Sequence, residues 1–556
     1  MEIKPIVLCS LNSKFIHSSP AVYYIRDAFM RQFPEKKDTI TVLNATVNDT
    51  LDHILYMITD RCPVIVGFSV YIWNIDIVTK LCKNLRRIDP DIKIILGGPE
   101  VSYGVGHTNL KKDDYDFLVC GEGENAFPAA VCACLGIDKS FDVTISGKTV
   151  TANKNVDLNE IPLIYNDGNI AEFKDKIIYY ETSRGCPFSC AYCLSSVCGK
   201  VRLLDEKRVF SDIDFFIKQN VKQVKFVDRT FNCSPGRAYR IWEYIISKAR
   251  LSDTNFHFEI GADLLTDEQI KLLSHAPKGK IQLEAGIQTV NEQSLKEVCR
   301  YAPTDVVLNN LRRLIESGNI NIHTDLIAGL PYEDFESFKI SLNCVYDLNS
   351  HQLQLGFLKL LSGAPLNGMI DKHGYSFAPY PPYEIIKNKY ITYEQIKRLK
   401  EIEDVIEKLY NSGRFILSLK KLRQMFTSPF DMLCALADYL KERGILFAPA
   451  STKKLYDAVG DFAKKSGESI DCVLLEDFYL SENSEIPPQS LKELVPLNKL
   501  TKPKAYEITH SLSLQKERCV FVKFIGNQAL IIDYSKKDPV TGRFALIDKK
   551  EVDFNE

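Results

Sequence analysis

Short apolar runs alternate with amphipathic stretches along most of this chain, and the alternation occurs twice. In the first 150 residues the runs 3–9, 40–43, 63–69, 92–96 and 117–120 read as strands, with 21–33 and 75–87 as helices between them. Uninterrupted apolar strands separated by helices specify a parallel sheet covered on both faces. The pattern resumes at 177–182, 221–227, 256–260, 281–285, 320–327 and 352–357, separated by helical stretches such as 205–218, 237–250, 266–274 and 304–317. Six such units predict a partial parallel (β/α)6 barrel, with chemistry at the C-terminal strand ends. The expected fold class is therefore α/β: a Rossmann-like domain over 1–150, a linker over 151–175, the barrel over 176–380, and a smaller α+β C-terminal domain over 381–556. Within that last domain 384–495 read as helix-rich and 505–548 as strand-like.

The loop after the first barrel strand carries Arg184-Gly-Cys-Pro-Phe-Ser-Cys-Ala-Tyr-Cys193. Three thiolates, Cys186, Cys190 and Cys193, can hold three corners of a [4Fe–4S] cube and leave the fourth iron without a cysteine. Four-cysteine ligation gives a saturated electron carrier instead. A structural zinc site is disfavoured because it needs four ligands, and Cys198 is the only nearby fourth candidate. Polar residues stand at other strand ends: Asp228, Glu259, the run Glu284-Ala-Gly-Ile-Gln288, and Asp325. Arg300 is a candidate carboxylate clamp.

With 45% hydrophobic and 26% charged residues and a net charge of -2 over 556 residues, the chain has no basic field that would favour nucleic acid. Its sixteen cysteines are mostly isolated, which points to a reducing compartment rather than a disulfide framework. The start Met-Glu-Ile-Lys-Pro lacks an export-signal pattern. The longest apolar stretch, 63–78, is broken by Asn74 and Asp76 and is too short to span a bilayer. A cytoplasmic protein with no membrane partner is expected.

The cysteine loop closely resembles that of the radical S-adenosylmethionine (SAM) enzymes, in which the open iron chelates SAM and one electron releases a 5′-deoxyadenosyl radical. The resemblance implies SAM contacts from Tyr192, Asp228, Glu284, Gln288 and Arg300. The first domain is similar to the cobalamin-binding domain that precedes many radical SAM cores, with Ser69-Val-Tyr71 and Gly97-Gly98 at two of its three motif positions. At the third, His17 is present in Phe15-Ile-His17-Ser-Ser-Pro20, but the aspartate and glycine of the family pattern are not. A ligating imidazole needs an acceptor that fixes its tautomer, so cobalt is expected without a protein histidine ligand. The implied cobalamin contacts are Asn12, His17, Ser69, Tyr71, Gly97, Gly98, Pro99, Gly121 and Glu122.

Together with Val227-Asp-Arg-Thr-Phe-Asn232, Gly356-Phe-Leu-Lys-Leu-Leu361 and Pro381-Pro-Tyr-Glu384, these motifs resemble the cobalamin-dependent radical SAM group with a C-terminal domain of unknown function. The resemblance implies a [4Fe–4S] cluster, SAM and cobalamin as cofactors. It also implies methyl transfer to an unactivated carbon of a small-molecule or peptide substrate, with flavodoxin or ferredoxin as electron donor. Rival readings are a radical cyclase or rearrangement enzyme, a tRNA methylthiotransferase and a non-enzymatic cobalamin sensor. The methylthiotransferase needs three further N-terminal cysteines, which are not evident, and a sensor needs no open iron.

Overall fold

The computed structural model describes residues 5–197, 199–496, 501–512 and 519–553. Cys198 and the first two residues of the run 3–9 lie outside them. The chain divides into two compact units. The first comprises Met1–Leu264, Val298–Arg300 and Leu358–Asn388, and the second comprises Leu265–Glu297, Tyr301–Phe357 and Lys389–Glu556.

The first unit opens with β1 (Ile6–Asn12), α1 (Pro20–Gln32), β2 (Ile40–Thr46), α2 (Leu51–Thr59), β3 (Ile65–Ser69), α3 (Ile75–Ile88), β4 (Lys93–Gly97), β5 (Phe117–Cys120), α4 (Gly123–Leu135), β6 (Val143–Ser146) and β7 (Thr149–Ala152). These strands form one sheet in the order β2-β1-β3-β4-β5-β7-β6, parallel except for β6. All seven residues of β1 are buried, as a strand covered by helices on both faces requires. The β6–β7 hairpin was not anticipated. Its exposed polar residues carry little apolar signal, and it lengthens the sheet at an edge. The chain leaves β1 for β2 on one side and β3 on the other, so the strand order reverses beside β1. Open α/β sheets bind ligands at that point, beyond the C-terminal strand ends.

The same unit continues with β8 (Ile178–Tyr180), the two-residue ladder β9 (Ser183–Arg184) and β10 (Arg202–Leu203), α5 (Glu206–Lys218), β11 (Gln223–Phe226), α6 (Pro235–Lys248) and β12 (Asn255–Ile260). β11 pairs in parallel with β8 and β12. The second unit holds α7 (Asp267–Ser274), β13 (Ile281–Gln288), α8 (Glu292–Glu297), α9 (Thr304–Glu316), β14 (Asn321–Ala328), α10 (Phe335–Tyr346) and β15 (Gln352–Phe357), with β13, β14 and β15 parallel. The six strands of the expected barrel are all present, three in each unit.

The chain then returns to the first unit through α11 (Ile370–His373), β16 (Ser376–Phe377) and β17 (Ile385–Lys387). The remainder lies in the second unit: helices α12 (Tyr393–Val405), α13 (Ile416–Arg423), α14 (Pro429–Glu442), α15 (Thr452–Lys465), α16 (Asp471–Ser481) and α17 (Thr501–Ser511), then the antiparallel strands β18 (Val520–Ile525), β19 (Gln528–Lys537) and β20 (Phe544–Glu551). Helix α17 corrects the strand-like reading from 505. Among the described residues, no helix is long and apolar enough to cross a membrane.

Candidate functional site

The cysteine loop is closed at its base by the β9–β10 ladder, which pairs Arg184 with Arg202. Gly185 starts the loop at φ +99°, where a Cβ would lie 2.8 Å from the Lys200 carbonyl oxygen. Each thiol meets its own polar neighbour. Thr230 Oγ1 lies 3.6 Å from Cys186 Sγ, Arg300 Nη1 donates to Cys190 Sγ at 4.0 Å, and the Ser195 N–H donates to Cys193 Sγ at 3.4 Å. Burial pushes the Cys190 thiol up, and the Arg300 guanidinium opposes it. Donors aimed at sulfur stabilise thiolates and tune a bound cluster, so this donor set fits an iron–sulfur group. Among the described residues, the one trio of metal-ligating side chains with donor atoms within 4.8 Å of one another is Glu284, His323 and Asp325. The cysteines are set wider. Bonds of about 2.3 Å to one tetrahedral zinc would hold sulfurs roughly 3.8 Å apart, closer than the three sulfurs stand as a set.

Tyr192 and Arg300 stand beside the cysteines, and both interact with Cys190. Asp228 is 1% exposed, and its carboxylate accepts from the Thr182 N–H (3.1 Å), Thr182 Oγ1 (2.7 Å) and Ser183 Oγ (2.5 Å). It therefore anchors the segment leading into the cysteine loop. Burial raises its pKa, opposed by these bonds.

Glu284 and Gln288 belong to the second unit. They lie four residues apart on β13, roughly 13 Å along an extended strand, so they occupy different depths. Gln288 closes β13 beside a register shift, at φ +72°, with its buried Oε1 lacking a hydrogen-bond partner. An unsatisfied buried acceptor fits a ligand hydroxyl or N–H. Glu284 instead faces His323, whose Nδ1 lies 4.0 Å from Glu284 Oε2 and whose Nε2 lies 2.9 Å from Asp325 Oδ1. The two carboxylates approach opposite nitrogens of the imidazole ring.

At the C-terminal ends of β3, β4 and β5, and against Leu8 of β1, lies a cavity of about 110 Å³. Ser69, Tyr71, Gly97, Gly98 and Gly121 line it, together with apolar residues of α1 and α4. Gly98, at φ +114°, passes the Val70 carbonyl so closely that a Cβ would sit 2.5 Å from its oxygen. Gly67, which sequence reasoning passed over, keeps the slot open: a Cβ there would sit 2.7 Å from Leu8 Cδ2. A narrow, glycine-walled, apolar slot suits a flat aromatic group of cobalamin.

The other four residues read as cobalamin contacts lie outside that lining. Asn12 is buried and accepts from Ser10 Oγ, and Pro99 is exposed. His17 Nδ1 lies 2.6 Å from the Tyr179 hydroxyl. Its pKa is lowered by burial and by Lys14 and Lys225, which favours the neutral imidazole. Glu122 pairs with Arg202 and lies 3.5 Å from Arg184. Arg184 also binds Glu124 (2.6 Å) and Glu181 (2.9 Å), so charge links the slot-side loop to the residue before Gly185. Burial raises Glu181 to about 7 against the pull of Arg184.

Beside the slot, the Tyr71 and Trp73 rings stack at 4.4 Å, and Trp73 is 47% exposed. Asn74 fastens this turn by donating to the Leu11 and Ser69 carbonyls. The signal for the platform was two aromatics two residues apart after a buried strand.

Residues 8–131 match the B12 binding domain family, 180–345 the Radical SAM superfamily, and 371–523 the protein of unknown function DUF4080. The chain is 23% identical over 351 residues to the cobalamin-dependent radical SAM methyltransferase TokK of Streptomyces tokunonensis, covering 58% of this chain and 51% of that protein. It is 26% identical over 365 residues to the 2-(S-pantetheinyl)-carbapenam-3-carboxylate methyltransferase of Streptantibioticus cattleyicolor, covering 58% and 50%. The chain thus spans about half the length of these curated relatives. The fold is similar to that of the cobalamin-dependent SAM radical enzyme OxsB with aqua-cobalamin bound, at a TM-score of 0.57, 14% identity, and coverage of 86% of this chain and 81% of that one. The radical SAM domain implies a [4Fe–4S] cluster and SAM, and the B12 domain implies cobalamin. By these three domains in this order, the chain belongs to the cobalamin-dependent radical SAM proteins, in the group that carries the DUF4080 domain.

Proposed function

We propose that the protein is a cobalamin-dependent radical SAM methyltransferase that acts on an unactivated carbon of a small-molecule or peptide substrate. The observation that carries this reading lies within the first unit. Three thiols on one short loop, two of them supported by donors, and a glycine-walled slot at a sheet switch point are joined through Arg184, Glu122 and Glu124.

Cys186, Cys190 and Cys193 would hold the cluster, and the slot would hold part of cobalamin. When bound, the cofactors supply the reducing electron, the carbon-centred radical and the methyl group. The chain's own residues position and protect. Arg300 and the Ser195 N–H favour thiolates at Cys190 and Cys193, and Thr230 Oγ1, which donates to the Arg229 carbonyl, is the polar neighbour of Cys186. Arg300 is a candidate clamp for the SAM carboxylate. Asp228 fixes the strand end that delivers the cysteine loop. The Tyr71–Trp73 stack offers a flat apolar wall that excludes water beside the slot. The electron donor is proposed to be flavodoxin or ferredoxin.

The test is anaerobic reconstitution with iron, sulfide and hydroxocobalamin, followed by metal analysis and incubation with methyl-labelled SAM and candidate substrates. About four irons and one cobalt per chain, with label moving to carbon, is the expected result. Iron without cobalt overturns the methyltransferase reading. Both cofactors with product formed but no label transferred points to a cyclase or rearrangement.

A further inference from the structure

Residues 358–388 run through the first unit as a strap that touches the surroundings of both candidate cofactor sites. At one place the Leu366 N–H donates to the Ala191 carbonyl at 2.8 Å, between Cys190 and Tyr192. At another, the Tyr383 hydroxyl donates to Glu100 Oε1 at 2.5 Å, in the loop that begins Gly97-Gly98. His107, from the same loop, brings Nε2 to 3.2 Å from that oxygen and sets its ring edge-on to Tyr383, with centroids 5.4 Å apart. Gly363, at φ +88°, lies flat against the Tyr103 ring, where a Cβ would come within 2.3 Å.

These contacts are built rather than incidental. Tyr383 is 3% exposed and Glu100 is 8% exposed. A buried phenol–carboxylate contact is costly unless it is satisfied, and it fixes register in a way that apolar packing does not. Tyr383 also sits at φ +57°, uncommon for a bulky residue, and the Leu360 N–H donates to its carbonyl oxygen at 2.9 Å. The chain therefore directs this side chain into the Glu100 loop against its local preference.

We propose that the strap sets the position of the cobalamin loop relative to the cysteine loop, with Tyr383 as a positioning residue acting through Glu100 and His107. The inference rests on the reading of a cobalamin site given above. It assigns a task to the start of the domain of unknown function, which contains Tyr383.

The experiment uses the full chain with its cluster reconstituted anaerobically. Hydroxocobalamin is titrated into the wild type, Tyr383→Phe, Glu100→Gln and the double variant, and amide exchange is followed over 98–109 and 185–194. Tyr383→Phe keeps the ring and is expected to weaken cobalamin binding about tenfold, equivalent to ~1.4 kcal/mol. It should speed exchange over 98–109 and leave iron content unchanged. The double variant should be no weaker than either single one. Cobalamin should slow exchange over 185–194 in the wild type and fail to do so in Tyr383→Phe. Gly363→Ala, which displaces Tyr103, should also speed exchange over 98–109, and it provides a second route if Tyr383→Phe folds poorly. Unchanged affinity and unchanged exchange in both Tyr383→Phe and Glu100→Gln would overturn the inference. A wild type that binds no cobalamin overturns the earlier reading instead, and the exchange measurements still report on the strap.

Discussion

The slot beside β1 and the cysteine loop lie in the same unit, and they are made in opposite ways. The slot is made by leaving side chains out: Gly67, Gly97, Gly98 and Gly121 line it, and apolar helix residues close it. The cysteine loop is made by adding polar groups, with a neighbour for each sulfur and a buried carboxylate, Asp228, behind its entry. A site defined by empty space fails when atoms are added. A site defined by donors fails when atoms are removed.

The largest expected effect tests that division at the cysteines. Replacing Cys186, Cys190 or Cys193 by Ala should reduce bound iron from about four per chain to nearly none, while hydroxocobalamin binding persists. Iron analysis and visible spectra read both. Loss of both cofactors together would mean that the two regions are one cooperative site.

Gly98→Val should do the reverse. Its Cβ meets the Val70 carbonyl, and φ +114° disfavours any side chain. The cost is about 1–3 kcal/mol from the backbone alone. Cobalamin binding should fall below detection in a titration, with iron retained.

Arg300→Met keeps much of the side-chain volume and removes the charge beside Cys190. A charge-assisted hydrogen bond contributes about 1.5–3 kcal/mol. SAM affinity, read from the change that SAM makes in the electron paramagnetic resonance spectrum of the reduced cluster, should drop roughly tenfold or more. Unchanged affinity would remove Arg300 from the SAM set.

The last expected effect concerns overall stability rather than cofactor binding, at a buried carboxyl supported by hydroxyls. Glu333 accepts from Thr289 and Ser341, and burial raises it to about 7. Its folded value lies above its unfolded one, so the stabilisation is fully present below about 4.5 and lost as pH rises through about 7. Glu333→Gln should flatten the pH dependence of thermal unfolding across that window and remove a penalty of at most about 3 kcal/mol at pH 8. An unchanged melting profile between pH 5 and 8 would show that Glu333 ionises without cost.

Much of this architecture was legible in the residues. The strand runs at 117–120 and 352–357 coincide with β5 and β15, because an apolar run bounded by turn residues has few alternatives in a parallel sheet. The β6–β7 hairpin and α17 were missed for the opposite reason: both are short on the apolar periodicity that such reading uses. In the candidate sites, the grouping of the three cysteines on one loop and the position of the glycine pair after a buried strand were legible, because both are local in the chain. The resemblance implies ligand contacts for Glu122 and Asp228, and the protein partners of these carboxylates were not legible in the sequence. Only the fold places Arg184 and Arg202 beside one, and Thr182 and Ser183 beside the other.

The sequence alone therefore determined the class of the fold and the residues that a cofactor loop offers. Periodicity fixes which strands are buried, and the spacing of three thiols on one short loop is set by the chain itself. The tertiary structure decided which polar residues are spent on the protein itself. It bracketed His323 between Glu284 and Asp325, and it brought Tyr383 to Glu100 across 283 positions. The Glu284–His323 and Tyr383–Glu100 pairings join residues remote in the chain, and no local spacing rule encodes them. They exist only once burial has removed water and left each charge and hydroxyl to find its partner within the fold.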